Sequence, residues 1–221
     1  MEINDTWYTE PLDRQGKTAA AIWPWKCKDA LFQYNEVYFT LDNQDGQAWD
    51  ADSGDGTVYR YNYSYGNGGG CVMFCLQESV NNLFQYNISV MDRGGIINPV
   101  QNPDARISEN IFVLPEGVPF IRDNMSGGHM NVENNLIVRL GEPAEGDWHH
   151  QTEFARYHGN LYQGFSDLPE EDDAAVRLTG EEAWLSGLLT GPSETDGHVH
   201  GREAFEGYRE AMDELRRRQN A

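Results

Sequence analysis

Lysine is nearly missing from this chain, with only Lys17, Lys26 and Lys28 among 221 residues. All basic side chains together number 16 against 36 acidic ones, a formal charge of −20. Such a surface repels phosphate backbones and anionic membranes, so nucleic acid is not an expected partner. It also suits a high-salt habitat, where carboxylates hold water and counter-ions while salt screens their repulsion. Cysteine is scarce as well: Cys27, Cys71 and Cys75 show neither zinc-ribbon nor CxxC spacing, which excludes a metal or disulfide framework. Cys71 and Cys75, four apart in an expected strand, point the same way but lie too far apart to bond each other. All three read as small buried apolar residues. No apolar run approaches the roughly 18 residues of a membrane span, and no charged-then-apolar leader follows Met1. Membrane insertion is therefore not expected.

What the chain has is a repeat. Phe32-Gln33-Tyr34-Asn35, Tyr59-Arg60-Tyr61-Asn62 and Phe84-Gln85-Tyr86-Asn87 share an aromatic-x-Tyr-Asn signature, with asparagines 27 and 25 residues apart. Weaker copies end at Asn110, Asn135 and Asn160, at spacings of 23, 25 and 25. Each copy is a short alternating run that ends at the asparagine, after which another such run begins, as in Ile88-Ser89-Val90-Met91. Period-2 alternation bounded by Gly, Asn and Asp reads as short strands joined by tight turns. Asparagine suits the corner because it tolerates left-handed geometry and bonds to backbone or to a stacked copy of itself. An antiparallel sandwich would show turn signals every 8–12 residues without a repeated motif.

The expected fold is all-β, a right-handed single-stranded parallel β-helix of about five to six coils with a C-terminal α-helix. Residues 1–25 form a lead-in, 26–165 the β-helix, and 166–221 a tail. The run Asp167-Leu168-Pro169-Glu170-Glu171-Asp172-Asp173 reads as a solvated linker. Residues 201–219 read as a helix with Phe205, Tyr208, Met212 and Leu215 on one face, placed to cover the last coil. A first coil with an open edge needs an N-terminal β-helix segment or a partner subunit to complete it. The chain is accordingly expected to be extracellular or at the cell surface, as part of a longer precursor.

These residues resemble the right-handed parallel β-helix proteins of the pectate-lyase-like superfamily. The closest resemblance is to a carbohydrate-active branch carrying a segment like Asp45-Gly46-Gln47-Ala48-Trp49-Asp50-Ala51-Asp52, then Tyr61-Asn62-Tyr63-Ser64 and Gly68-Gly69-Gly70. It covers roughly residues 20–165. In such relatives the Tyr-Asn-Tyr-Ser run often continues His-Asp-Asn, whereas this chain continues Tyr65-Gly66-Asn67. The resemblance implies a glycan as substrate. It extends to β-helix glycosidases of the lacto-N-biosidase type, whose two catalytic aspartates stand seven positions apart, as Asp45 and Asp52 do here.

Alternation along 47–52 puts Trp49 and Ala51 on one face and Ala48, Asp50 and Asp52 on the other, so both aspartates are expected to face outward. Their Cα atoms would stand about 6.5–7 Å apart, a spacing that leaves retaining and inverting glycoside hydrolysis both open. Proximity of like charges should raise one of the two pKa values, as an acid/base pair requires. Asp45, Asp50 and Asp52 are thus the candidate catalytic residues of a glycoside hydrolase. Trp23, Trp25, Tyr63 and Tyr65 are candidate sugar platforms, and Arg93 a further substrate contact. No cofactor is expected.

Two alternatives stand beside the hydrolase. A non-catalytic β-helix module, a glycan-binding or surface stalk, would carry splayed, hydrated aspartates on a flat face. A calcium-dependent polysaccharide lyase would hold Ca²⁺ at Asp45, Asp50, Asp52 and Asp55, with Arg93 or Arg122 taking the proton, although an arginine is a poor base. His129, His149-His150 and His198-x-His200 lie in polar, loop-like surroundings and receive no role.

Overall fold

The computed structural model describes residues 20–42, 45–76, 79–97, 104–122, 130–144, 148, 155–178 and 202–219. Strands recur in triplets around one axis, and every pairing is parallel. The first sheet stacks β1 (Leu31–Gln33), β4 (Val58–Arg60), β7 (Leu83–Gln85), β10 (Ala105–Ser108), β13 (Met130–Glu133) and β15 (Ala155–His158). The second stacks β2 (Glu36–Tyr38), β5 (Tyr63–Tyr65), β8 (Ile88–Val90), β11 (Ile111–Leu114), β14 (Leu136–Arg139), β16 (Leu161–Gln163) and β17 (Val176–Arg177). The third has β3 (Trp49–Asp52), β6 (Val72–Cys75), β9 (Ile96–Ile97) and β12 (Ile121–Arg122). The molecule is a parallel β-helix. Because the third sheet has four strands among the described residues, about four turns close on all three sides, fewer than the five to six coils expected.

The inside of the coil is filled by alternate side chains of each strand, up to two per strand in each rung. Phe32 stacks on Tyr59 at 5.1 Å and Phe84 on Phe112 at 6.2 Å, with Trp49, Val72, Phe74, Ile96 and Ile107 completing a dry centre. The aromatic of the signature is therefore the inward layer of the first sheet. The tyrosine two residues later lies at the corner, where Tyr34, Tyr61 and Tyr86 stack at 5.4 and 5.3 Å.

The asparagines form a ladder through these corners. From Asn35 to Asn160, each backbone N–H and side-chain Nδ2 donates to the Oδ1 of the asparagine one rung on, at 2.8–3.2 Å. Asp172 ends the series by accepting from Asn160 at its backbone N–H and Nδ2, and also from Gly159 and Tyr162. It is buried, not part of a solvated linker as its acidic surroundings implied. The left-handed residue is also not the asparagine but the one before it: φ is 57° at Tyr34, 54° at Tyr61, 56° at Tyr86 and 58° at Glu109. The asparagine is selected for its amide, which satisfies corner backbone groups that no strand reaches.

The second sheet is apolar on both faces. Outside it, Tyr63, Ile88, Ile111, Leu136 and Leu161 form a column in register. Met212 and Leu215 of α1 (Arg202–Gln219) pack into this cluster, and Arg216 donates to Glu109 at 2.7 Å and to the Asn134 carbonyl. Arg209 acts electrostatically on Tyr86, two rungs earlier than Asn134. Seven helical residues rise about 10 Å and two rungs span about the same, so α1 runs along the axis on the flank. The described contacts of the expected capping helix are thus lateral. Phe205 and Tyr208 have side chains outside the described set, and residues 1–19 of the lead-in lie outside it too.

Candidate active site

The outer face of the third sheet carries the acidic segment. Trp49 and Ala51 are fully buried inside, as alternation requires, which turns Asp50 and Asp52 outward. A further rung precedes β3: Ile22 bridges Trp49 and Trp25 bridges Asp52. That register sets Trp23 beside Asp50 and Trp25 beside Asp52. Both indoles are exposed, at 49% and 60%, on the same face as the carboxylates. On the other side, Asp50 is in register with Met73 and Asp52 with Cys75.

Asp50 does not stand in solvent as expected; it is only 2% exposed, between Trp23 and Met73 in its column. Burial drives its pKa well above the ordinary carboxylate range, and the charges of Asp52 and then Asp45 push the same way. Asp45 is also raised, first by burial and then by Asp52, against a lowering bond from Gln47. All three candidate carboxylates are therefore within electrostatic reach of one another. Donor atoms of Asp50, Asp52 and Cys75 lie within 4.8 Å of each other. The Cys75 thiol donates to Asp52 Oδ1 at 2.6 Å and stands 3.7 Å from Asp50 Oδ1. Burial and these carboxylates hold it protonated, far above the usual thiol range.

The loop that delivers Asp45 is tied down by a second, shorter ladder. Asn67 donates from its backbone and side chain to Asp92 Oδ1, both at 2.8 Å, and accepts the Thr40 N–H at 3.1 Å. The Thr40 hydroxyl in turn donates to the Gly46 carbonyl. Gly69 donates to the same carbonyl at 3.1 Å, and a Cβ on Gly69 would sit 2.2 Å from the Gly46 carbonyl carbon. The glycine run is thus the close-approach surface against which the Asp45 loop packs.

Other expected site residues lie elsewhere. Tyr63 is fully buried in the outer cluster of the second sheet, and Tyr65 packs edge-on against Phe39 at 5.7 Å on that sheet. Neither flanks the acidic strand, because the corner at Gly66–Gly70 separates the two sheets. Asp55 pairs with Lys28 at 3.5 Å and accepts from Asn81 at 3.2 Å, and the acidic group gathered within 4.8 Å contains Asp50, Asp52 and Cys75 but not Asp55. The four-aspartate calcium set is therefore not assembled, and a thiol with two carboxylates is not the all-oxygen shell that calcium takes. Arg93 is exposed, with its N–H on the Asn67 carbonyl. Arg122 donates to the carbonyls of Gly68 and Arg93 and pairs with Asp42 at 3.3 Å, so its guanidinium is engaged as a donor. A lyase base is thus not found in either arginine. His129, His149, His150, His198 and His200 lie outside the described residues. Cys75, read from sequence as a small buried residue, is the site component that sequence missed; Cys71 alone of the three is fully buried.

Fold and face together define a parallel β-helix protein with a carboxylate cluster flanked by exposed indoles on one sheet. The chain is similar to lacto-N-biosidases: it is 38% identical over 220 residues to the "Lacto-N-biosidase" of Bifidobacterium longum subsp. longum, covering 94% of this chain and 14% of that protein. It also matches the crystal structure of the GH136 lacto-N-biosidase from Eubacterium ramulus at 58% identity and a TM-score of 0.52, over 62% of this chain and 22% of that one. The chain thus spans under a quarter of the length of either protein. No family profile matches it.

Proposed function

We propose that this chain carries the catalytic face of a β-helix glycoside hydrolase acting on a lacto-N-bioside-type oligosaccharide. The observation that carries the reading is proximity: Asp50 and Asp52 stand together on one face beside two exposed indoles, with Asp45 of the feeding loop in electrostatic reach of both, instead of splaying into solvent as a stalk would have them. Asp45, half-buried with a raised pKa, holds its proton to deliver to the glycosidic oxygen as general acid. Asp52, bonded by Cys75 and beside Trp25, is the charged partner that meets the anomeric carbon or its water. Asp50 is too enclosed to reach a sugar, and because burial favours its neutral form its role is to limit the negative charge around Asp45 and Asp52. Trp25 and Trp23 offer flat apolar faces to pyranose C–H groups. The similarity to lacto-N-biosidases supports the substrate class.

The test is hydrolysis of an aryl lacto-N-bioside, followed by the released phenol. Asp45→Asn and Asp52→Asn should each lower kcat/KM by about 10²–10⁴-fold, the range for loss of one acid, base or nucleophile. Trp25→Ala should raise KM with a smaller change in kcat. Turnover unchanged in both aspartate variants would end this assignment.

A further inference from the structure

We infer that Cys75 is a positioning residue of the carboxylate face, holding Asp52 through an S–H···O bond from the neighbouring rung. This rests on the hydrolase reading for its purpose, but not for its geometry. Parallel register sets Cys75 directly across from Asp52, so both side chains leave the sheet on the same side about 4.8 Å apart at the backbone. The sulfur closes that gap to 2.6 Å from Asp52 Oδ1 and keeps 3.7 Å from Asp50 Oδ1. A thiol has one proton, and Asp52 receives it at the shorter distance.

The consequence is an asymmetric carboxylate. Oδ1 of Asp52 is engaged by the thiol, which leaves Oδ2 for a reacting centre and fixes the plane of the group. The ionisable groups named by the electrostatics of this thiol are Asp50, Asp52 and Asp45, all acidic and all from β3 and its feeding loop. Carboxylates that accept the thiol proton make the thiol harder to ionise. Cys75, only partly exposed, is thus a thiol kept unreactive by burial first and by the three neighbouring carboxyl groups second.

Two readouts test this without turnover and one with it. Alkylation of the wild-type chain by iodoacetamide, mapped by peptide mass to distinguish Cys75 from Cys27, should be slow at pH 8. Asp52→Asn should speed labelling of Cys75 at least tenfold while leaving Cys27 unchanged. The carbon-13 resonance of the Asp52 carboxyl at a fixed pH should move in Cys75→Ala, with Cys75→Ser restoring it. In activity, Cys75→Ala should lower kcat several-fold with little change in KM, again with rescue by serine. Unchanged labelling in Asp52→Asn, or an Asp52 carboxyl resonance indifferent to Cys75→Ala, overturns the assignment. A chain that hydrolyses nothing refutes the proposed function, yet the labelling and the carboxyl resonance still decide the role of Cys75.

Discussion

Asp92 shows how far a single buried carboxyl departs from its solution behaviour. It is fully enclosed at the second corner, where it accepts from Asn67 twice, from Ser89 at 2.8 Å and from Ser64. Burial outweighs these bonds and lifts its pKa to about 6. The folded protein therefore binds this proton more tightly than the unfolded chain, in which an aspartate titrates near 3.9. Stability from the group is complete below about pH 4 and is lost as pH rises through about 6, a difference of about 3 kcal/mol. Asp45 and Asp50, also raised, work in the same direction. Asp92→Asn keeps an oxygen for Asn67 and gains an NH₂ for the serine hydroxyls. The fall in Tm between pH 4 and 7 should be shallower in this variant than in the wild type, measured by circular dichroism. An identical fall would show that another group carries the loss.

The elements hold together through period and breakdown of period. Asn110, in mid-ladder, accepts from Asn87 at its backbone and Nδ2 and donates to the Phe84 carbonyl and to Asn135. Asn110→Ala strands several buried groups at once and should cost about 3 kcal/mol in urea unfolding, whereas Asn35→Ala, on the first rung, should cost under about 1 kcal/mol. Comparable losses at both sites would deny the ladder its weight. The period was legible because every rung needs the same amide at the same corner. Its terminator was not, since Asp172 follows Asn160 by only 12 residues, out of step with the repeat. The helix α1 was legible from Met212 and Leu215 at helical spacing, but its docking face was not. The signal for that face is the run Ile111–Leu114, apolar on both sides where a half-exposed strand would alternate. Leu215→Ala, at a 2% exposed position against that face, should destabilise the protein by about 2–3 kcal/mol.

At the scale of the whole molecule, register decides what a sequence reading can see. Alternation within β3 correctly turned Asp50 and Asp52 to the outer face, but pairing across rungs depends on loop length. A count of 25 from Asp52 reaches Gln77, whereas the observed partner is Cys75, 23 residues on, because the intervening path is two residues shorter. The same limit misplaced Tyr63 and Tyr65, which lie around a corner from the acidic strand. Net charge needs no register, and it yields the last prediction. The chain carries 36 acidic against 16 basic residues. Ion pairs such as Lys28–Asp55 and Arg106–Glu133 lie at the solvent-exposed surface, where water and salt screen them, so they offset little of this excess. The excess carboxylates belong to a fold whose rungs lie about 4.8 Å apart, well inside the roughly 10 Å screening length at 0.1 M salt. At 1 M that length is about 3 Å, short enough to screen neighbouring rungs from one another. Raising NaCl from 0.05 to 1 M should therefore lift Tm by several degrees, equivalent to about 1–2 kcal/mol for a chain of this size. Screening saturates once the Debye length falls below the charge spacing, so the curve should flatten near 1 M. A linear rise continuing to 3 M would mark preferential exclusion of salt instead. A flat profile from the outset would mean that repulsion among these carboxylates does not limit the stability of the fold.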